Sequence, residues 1–224
     1  MKPWEVLGET QTPDGTAMAL TRRDREYVIL ANGKSLMSSL MHGSEEALAT
    51  LASPHLRAIK GPSVLVGGLG MGFTLRATLD VLPEDAGVTV AELVPAVVEW
   101  NRGPLGPLAG HPLNDKRVRV VVDDVADVLL SSRNTFDAIL LDVDNGPAPF
   151  TAESNARLYD DRGLAAARAA LKGNGLLSIW SAWDNRKFVQ RLRYNKFDVT
   201  VEHVRGRLKK GGPHHTIFRA RASS

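Results

Sequence analysis

Between residues 63 and 181, short and nearly unbroken apolar runs alternate with longer stretches whose apolar positions recur at helical spacing. The runs predict strands at Ser63–Gly67, Val88–Glu92, Arg117–Val122, Phe136–Asp142 and Leu176–Ser181. The stretches predict helices at Phe73–Leu82, Pro95–Asn101, Val125–Ser131, Ser154–Leu171 and Arg186–Tyr194. A run such as Ala138-Ile139-Leu140-Leu141 shows no polar alternation, so both of its faces must be covered, as in a parallel sheet flanked by helices. Near the end, Phe197–Val204 and His215–Arg221 are strand-like runs around Lys209-Lys210-Gly211-Gly212-Pro213, with no room for a helix between them, so they are expected to pair antiparallel. At the start, Thr16–Leu20 and Glu26–Ala31 predict a hairpin followed by an Asn32-Gly33 turn, and Ser44-Glu45-Glu46-Ala47-Leu48-Ala49 reads as a capped helix start. The fold class is therefore α/β: a doubly wound, mostly parallel Rossmann-like sheet with an antiparallel C-terminal hairpin, preceded by a small N-terminal β-hairpin.

A chain of 224 residues with 43% apolar residues suits this architecture and a sizeable core. No run approaches the roughly 18 apolar residues of a membrane span, and the start has no apolar run of a secretory signal. The absence of cysteine excludes disulfides, thiolate metal sites and cysteine nucleophiles. A cytoplasmic protein without membrane association is expected. The net charge of +3 is uneven, because residues 181–224 carry 11 Lys/Arg against 3 Asp/Glu. That basic end would suit nucleic acid. It lacks interleaved aromatic residues and reads more simply as solvated helix and hairpin faces, so nucleic acid is not the expected partner.

Candidate chemistry begins at Gly67-Gly68-Leu69-Gly70-Met71-Gly72, between the first buried strand and a helix start. Glycines there let a ligand approach the main chain where helix N–H groups point outward. The pattern departs from the dinucleotide fingerprint, with Phe73 in place of its last glycine, which disfavours a pyrophosphate cofactor. About 20 residues on, a strand ends in Glu92, placed to hold ribose hydroxyls or simply to sit exposed at a strand end. Asp123 and Asp124 follow the third strand, where a carboxylate can accept from an adenine amino group with Val125 against the ring, or cap the next helix. The fourth strand ends in Asp142, followed by Asp144-Asn145-Gly146-Pro147. All these groups fall on the carboxyl edge of the predicted sheet, where open α/β sheets bind ligands. No spaced set of His and carboxylates suggests a metal.

These segments resemble the class I S-adenosylmethionine-dependent methyltransferase superfamily and, within it, the spermidine synthase-like family. Gly68 to Arg76 is similar to that family's Gly-Gly-Gly-Asp-Gly-Gly-x-x-Arg segment, Val90-Ala91-Glu92-Leu93-Val94-Pro95 to its ribose-binding strand end, and Phe136–Asp142 to the strand delivering its catalytic aspartate. The resemblance implies an S-adenosylmethionine or decarboxylated S-adenosylmethionine site formed by Gly68, Gly70, Met71, Gly72, Glu92, Leu93, Asp123, Asp124, Val125 and Asp142. It gives Asp142 and Asp144 the catalytic candidacy, as groups that orient an acceptor amine or take its proton. It further implies a small N-terminal region over residues 1–43, a cofactor-binding domain over 44–224, and a homodimer.

Two departures bear on the substrate. The family's motif aspartate, which grips the aminopropyl ammonium, falls on Met71, and its acidic stretch before Tyr-His is represented only by His42-Gly43-Ser44-Glu45-Glu46-Ala47-Leu48. Desolvating a diamine's ammonium groups without carboxylate partners costs several kcal/mol per ion. On that ground the expected activity is a methyltransferase acting on an unidentified small-molecule acceptor, with an amine among the candidates. The alternatives are a polyamine aminopropyltransferase using decarboxylated S-adenosylmethionine and a non-catalytic cofactor-binding homologue.

Overall fold

The computed structural model describes residues 2–143, 146–147, 156–207 and 212–222. Four strands open the chain: β1 (Glu5–Gln11), β2 (Ala17–Arg23), β3 (Glu26–Ala31) and β4 (Lys34–Ser38), paired antiparallel in that order. The expected hairpin is β2–β3. The flanking strands escape a pattern argument because β1 is largely exposed and β4 has only five residues, so neither carries a clear apolar alternation.

Helix α1 (Gly43–Leu56) leads into a sheet of seven strands. These are β5 (Ser63–Gly67), β6 (Gly87–Glu92), β7 (Val118–Val122), β8 (Phe136–Leu141), β9 (Leu171–Ser181), β10 (Phe197–Arg205) and β11 (His214–Ala222), in the order β10-β11-β9-β8-β5-β6-β7. β5 to β9 pair parallel, and β11 runs antiparallel between β9 and β10. The remaining helices are α2 (Phe73–Val81), α3 (Pro95–Arg102), α4 (Val125–Ser131), α5 (Ala156–Tyr159), α6 (Asp161–Ala170) and α7 (Arg186–Tyr194). Among the described residues, no helix is long and apolar enough to cross a membrane.

Three local expectations change. The predicted helix from Ser154 begins outside the described residues, and its described part is split at Asp160, whose carboxylate accepts from the Gly163 N–H (2.8 Å) and starts a new helix. β9 begins five residues early, at Leu171, because Phe136 pairs with Leu171 before an irregularity, after which Ala138 pairs with Leu176. Ser44 does not cap α1. The helix starts at Gly43, whose N–H donates to Gly206 O (3.0 Å), leaving Ser44 inside the first turn.

Every residue of β8 is buried, as its unbroken apolar run requires. Burying a Leu or Ile side chain fully contributes about 1.5–3 kcal/mol. One core gathers α1 and α2 on a face of the sheet and includes Met18, Leu20 and Ile29 of the N-terminal sheet; the other gathers α4, α6 and α7. β5 lies between β6 and β8, so strand order reverses there, and the carboxyl ends of β5 and β8 form the crevice where such sheets bind ligands.

Candidate functional site

The turn after β5 is tied to its neighbours on every side. The Gly68 N–H donates to Ala91 O (2.9 Å), and the Leu69 N–H donates to Glu92 Oε2 (2.9 Å). Gly68 has a φ of 86°, and a Cβ on it would lie 2.4 Å from Asp142 O, so only glycine fits between β6 and β8. Gly68→Ala is expected to lose roughly 3 kcal/mol of stability, read as a lowered denaturant midpoint. An unchanged midpoint would contradict this close approach.

At Gly70 the Met37 side chain of β4 fills the space a Cβ would need, and the Asn101 side-chain NH₂ donates to Gly70 O (2.8 Å). Met71 is buried in the core at 1% exposure, and Gly72 precedes α2 as its N-cap. Glu92 is buried and also accepts from the Val94 N–H (2.9 Å), so its carboxylate fastens the glycine turn to the start of α3.

On the adjacent edge, Asp124 caps α4 by accepting from the Ala126 N–H (2.8 Å) and pairs with the Arg157 guanidinium (2.6 Å), which also reaches Asp127. The exposed Asp123 accepts from the Asp124 N–H (2.8 Å). Val125 is buried against Gly67, while Leu93 and Val122 stand exposed at the ends of β6 and β7.

Asp142 follows β8 with its N–H donating to Gly67 O (2.8 Å), and its carboxylate accepts from the Thr74 hydroxyl of α2 (2.5 Å). Asp144 lies outside the described residues. A second acid arrives from α1, where Glu45 is 9% exposed and close enough for the Asp142 charge to act on it. Burial pushes the Asp142 carboxyl up to about 6, against the lowering effect of the Thr74 hydrogen bond. Burial first, and the Asp142 charge second, push Glu45 up to about 8. Near neutral pH the pair thus holds one proton and one negative charge between them.

Around this pair, His42 stacks on Phe73 with ring centroids 4.1 Å apart, and its Nδ1 lies 2.7 Å from Glu46 Oε1. The Tyr159 hydroxyl donates to Val143 O (3.4 Å), next to Asp142. Sequence reasoning kept Glu45 only as a remnant of an acidic stretch. The signal present was the Glu45-Glu46 pair at a helix start, where the fold brings α1 over α2.

Comparison with known proteins bears on what such a site serves. Residues 42–204 match the spermine/spermidine synthase domain. The chain belongs to that family. A polyamine aminopropyltransferase of Korarchaeum cryptofilum (strain OPF8) is 28% identical over 130 residues, which cover 57% of this chain and 38% of that protein. A spermidine synthase solved in complex with the transition-state analogue AdoDATO superposes with a TM-score of 0.71 at 19% identity, over 97% of this chain and 72% of that one. The spermidine synthase of Thermotoga maritima gives 0.72 at 18% identity, with the same coverage. These two likenesses establish the shared fold.

The expected methyltransferase activity is thereby corrected, because the matched family and the curated relative are spermine/spermidine synthases and an aminopropyltransferase. The physical ground for that expectation, a shortage of acids, fails as well. The carboxylate absent at Met71 has no replacement in the glycine turn, but α1 delivers Glu45 beside Asp142.

Proposed function

We propose that this chain transfers an aminopropyl group from decarboxylated S-adenosylmethionine to a diamine-type acceptor. The carrying observation is the convergence of buried Glu45 from α1 and partly buried Asp142 just after β8, beside the glycine turn. A cationic amine entering a water-poor site needs a carboxylate partner to offset its desolvation, and one ionised acid beside one protonated acid supplies that partner.

The residues present fit the donor. Exposed apolar Leu93 and Val122, beside Asp123, offer a flank for a purine at the strand edge. Gly68, Gly70 and Gly72, each at positive φ, would let the turn present its main chain to the donor, with Met71 packed beneath the turn. Glu92 would share its carboxylate with the ribose hydroxyls, Asp124 would meet the purine amino group at the start of α4, and Val125 would support the turn from below. In this division residues 44–224 hold the donor and residues 1–43 cover one side of it.

Bound there, the donor supplies a carbon activated by its sulfonium. The chain aligns a neutral amine nitrogen with that carbon and takes the proton released once the new N–C bond forms. Asp142 is the acceptor of that proton, with Asp144 the neighbouring candidate.

Calorimetry with decarboxylated and intact S-adenosylmethionine, followed by product analysis with putrescine, tests the reading. The negative charge held by the Asp142–Glu45 pair would disfavour the intact donor's extra carboxylate, so a preference of at least about tenfold for the decarboxylated form is expected, equivalent to about 1.4 kcal/mol. Equal affinities, or no aminopropylated product from any diamine, would overturn it.

A further inference from the structure

Glu45 also ends a line of hydrogen-bonding groups that leads away from Asp142. The Ser44 hydroxyl lies 2.6 Å from Glu45 Oε2 and 2.8 Å from His215 Nδ1 on β11. Ser44 has no solvent exposure, whereas His215 is half-buried with its ring against Trp180 at a centroid distance of 4.8 Å. One end of the line therefore faces the acid pair and the other reaches toward solvent. A hydroxyl has one proton and two acceptor positions, so Ser44 can donate to only one neighbour while accepting from the other. The line has two polarities: Glu45 to Ser44 to His215 when Glu45 carries the proton, and the reverse when it does not.

We infer that Ser44 and His215 are relay residues that carry the acceptor's proton out of the site through Glu45. The inference rests on the amine-transfer reading above. In that reaction the amine nitrogen's lone pair forms the N–C bond, the C–S bond breaks with its electrons staying on sulfur, and the new ammonium must lose one proton. Asp142 takes it and hands it to Glu45 Oε1, while the Glu45 Oε2 proton passes to Ser44 Oγ. The Ser44 proton passes to His215 Nδ1, and the imidazolium releases its Nε2 proton to water. The chain is left with Nδ1–H donating to Ser44 and Ser44 donating to Glu45, and it resets by hydroxyl rotation and imidazole tautomerisation.

Burial and the neighbouring His214 hold the His215 pKa below its usual value, so the imidazole is neutral at rest and discharges readily. The charged and titratable groups facing the line are Asp142 and Glu46 at the Glu45 end and His214 at the His215 end. His42 stands beside Glu46.

The test has two arms. In ¹⁵N-labelled protein, His215 is expected to switch from the Nε2–H to the Nδ1–H tautomer as pH rises through the Glu45 titration near 8. The switch should vanish in Glu45→Gln and in Ser44→Ala. In turnover with donor and diamine, Ser44→Ala and His215→Ala should each lower kcat roughly tenfold, a fraction of the 10²–10⁴ that positioned proton transfer contributes. The donor KM should hold, the double variant should be no worse than either single one, and imidazole should rescue His215→Ala. Ser44→Ala, which removes only a hydroxyl, serves where the histidine variant fails to fold. A tautomer that ignores Glu45, a switch surviving in Ser44→Ala, or an unchanged kcat in both variants overturns the relay. Wild-type protein inert toward every diamine would sink the transfer reading and the relay's task with it, and an intact tautomer switch tells that result apart from a broken line.

Discussion

Asp142→Asn is expected to lower kcat by about 10²–10⁴-fold, the usual contribution of a positioned acid–base group, while the donor Kd changes far less. The substitution preserves shape, and the amide oxygen can still accept from the Thr74 hydroxyl that now lies 2.5 Å from the carboxylate. What disappears is the negative charge that, under the proposed aminopropyl transfer, steadies a cationic acceptor and takes its proton. Steady-state turnover beside calorimetric donor binding separates the two effects. Turnover within threefold of the parent would remove Asp142 from the chemistry. A further effect comes with the change, because the Asp142 charge helps hold the Glu45 proton, and its loss should bring the Glu45 titration down.

Glu45→Gln is expected to stabilise the protein at alkaline pH and to do little in acid. The Glu45 carboxyl is raised from 4.5 to about 8 in the folded chain, so between those values the native state binds a proton that the unfolded chain releases. Stability from this group is fully present below about pH 4.5 and is lost as pH rises through about 8. Glutamine cannot ionise and keeps an oxygen for Ser44. It should recover on the order of 2–4 kcal/mol above pH 8, about 5–10 °C in Tm for a chain of this size. Melting curves at acid, neutral and alkaline pH read the effect directly. Parallel curves for parent and variant would show that Glu45 is not buried in solution as it is here.

Most of the large sheet was legible because parallel strands covered on both faces must be apolar throughout, and β8 is buried at every position. The positions of Gly68, Glu92, Asp124 and Asp142 at strand ends followed from the same pattern. What escaped was contact across elements distant in sequence. Ser44 and His215 lie 171 residues apart, and no local period links a helix start to the last strand. Met37 against Gly70 is a second case, since β4 is too short to announce itself. The substrate reading went astray for the same reason: Glu45 stood in the sequence only as a remnant of an acidic stretch, and no local pattern shows that α1 sets it beside Asp142. Asp124 shows the converse, for its place was legible but its pairing with Arg157, from beyond the next strand, was not.

The N-terminal strands contribute no acid to the pair, yet Met18, Leu20 and Ile29 share an interior with Leu48, one turn along α1 from Glu45. Stripping away the N-terminal strands would remove one wall from that helix, leaving α2 and the large sheet to hold it and giving its first turns more room to drift. The group most exposed to such drift is a carboxyl that none of the removed residues has been shown to touch. Under the proposed chemistry, the placement of Glu45 draws on a distant scaffold as well as on its own neighbours.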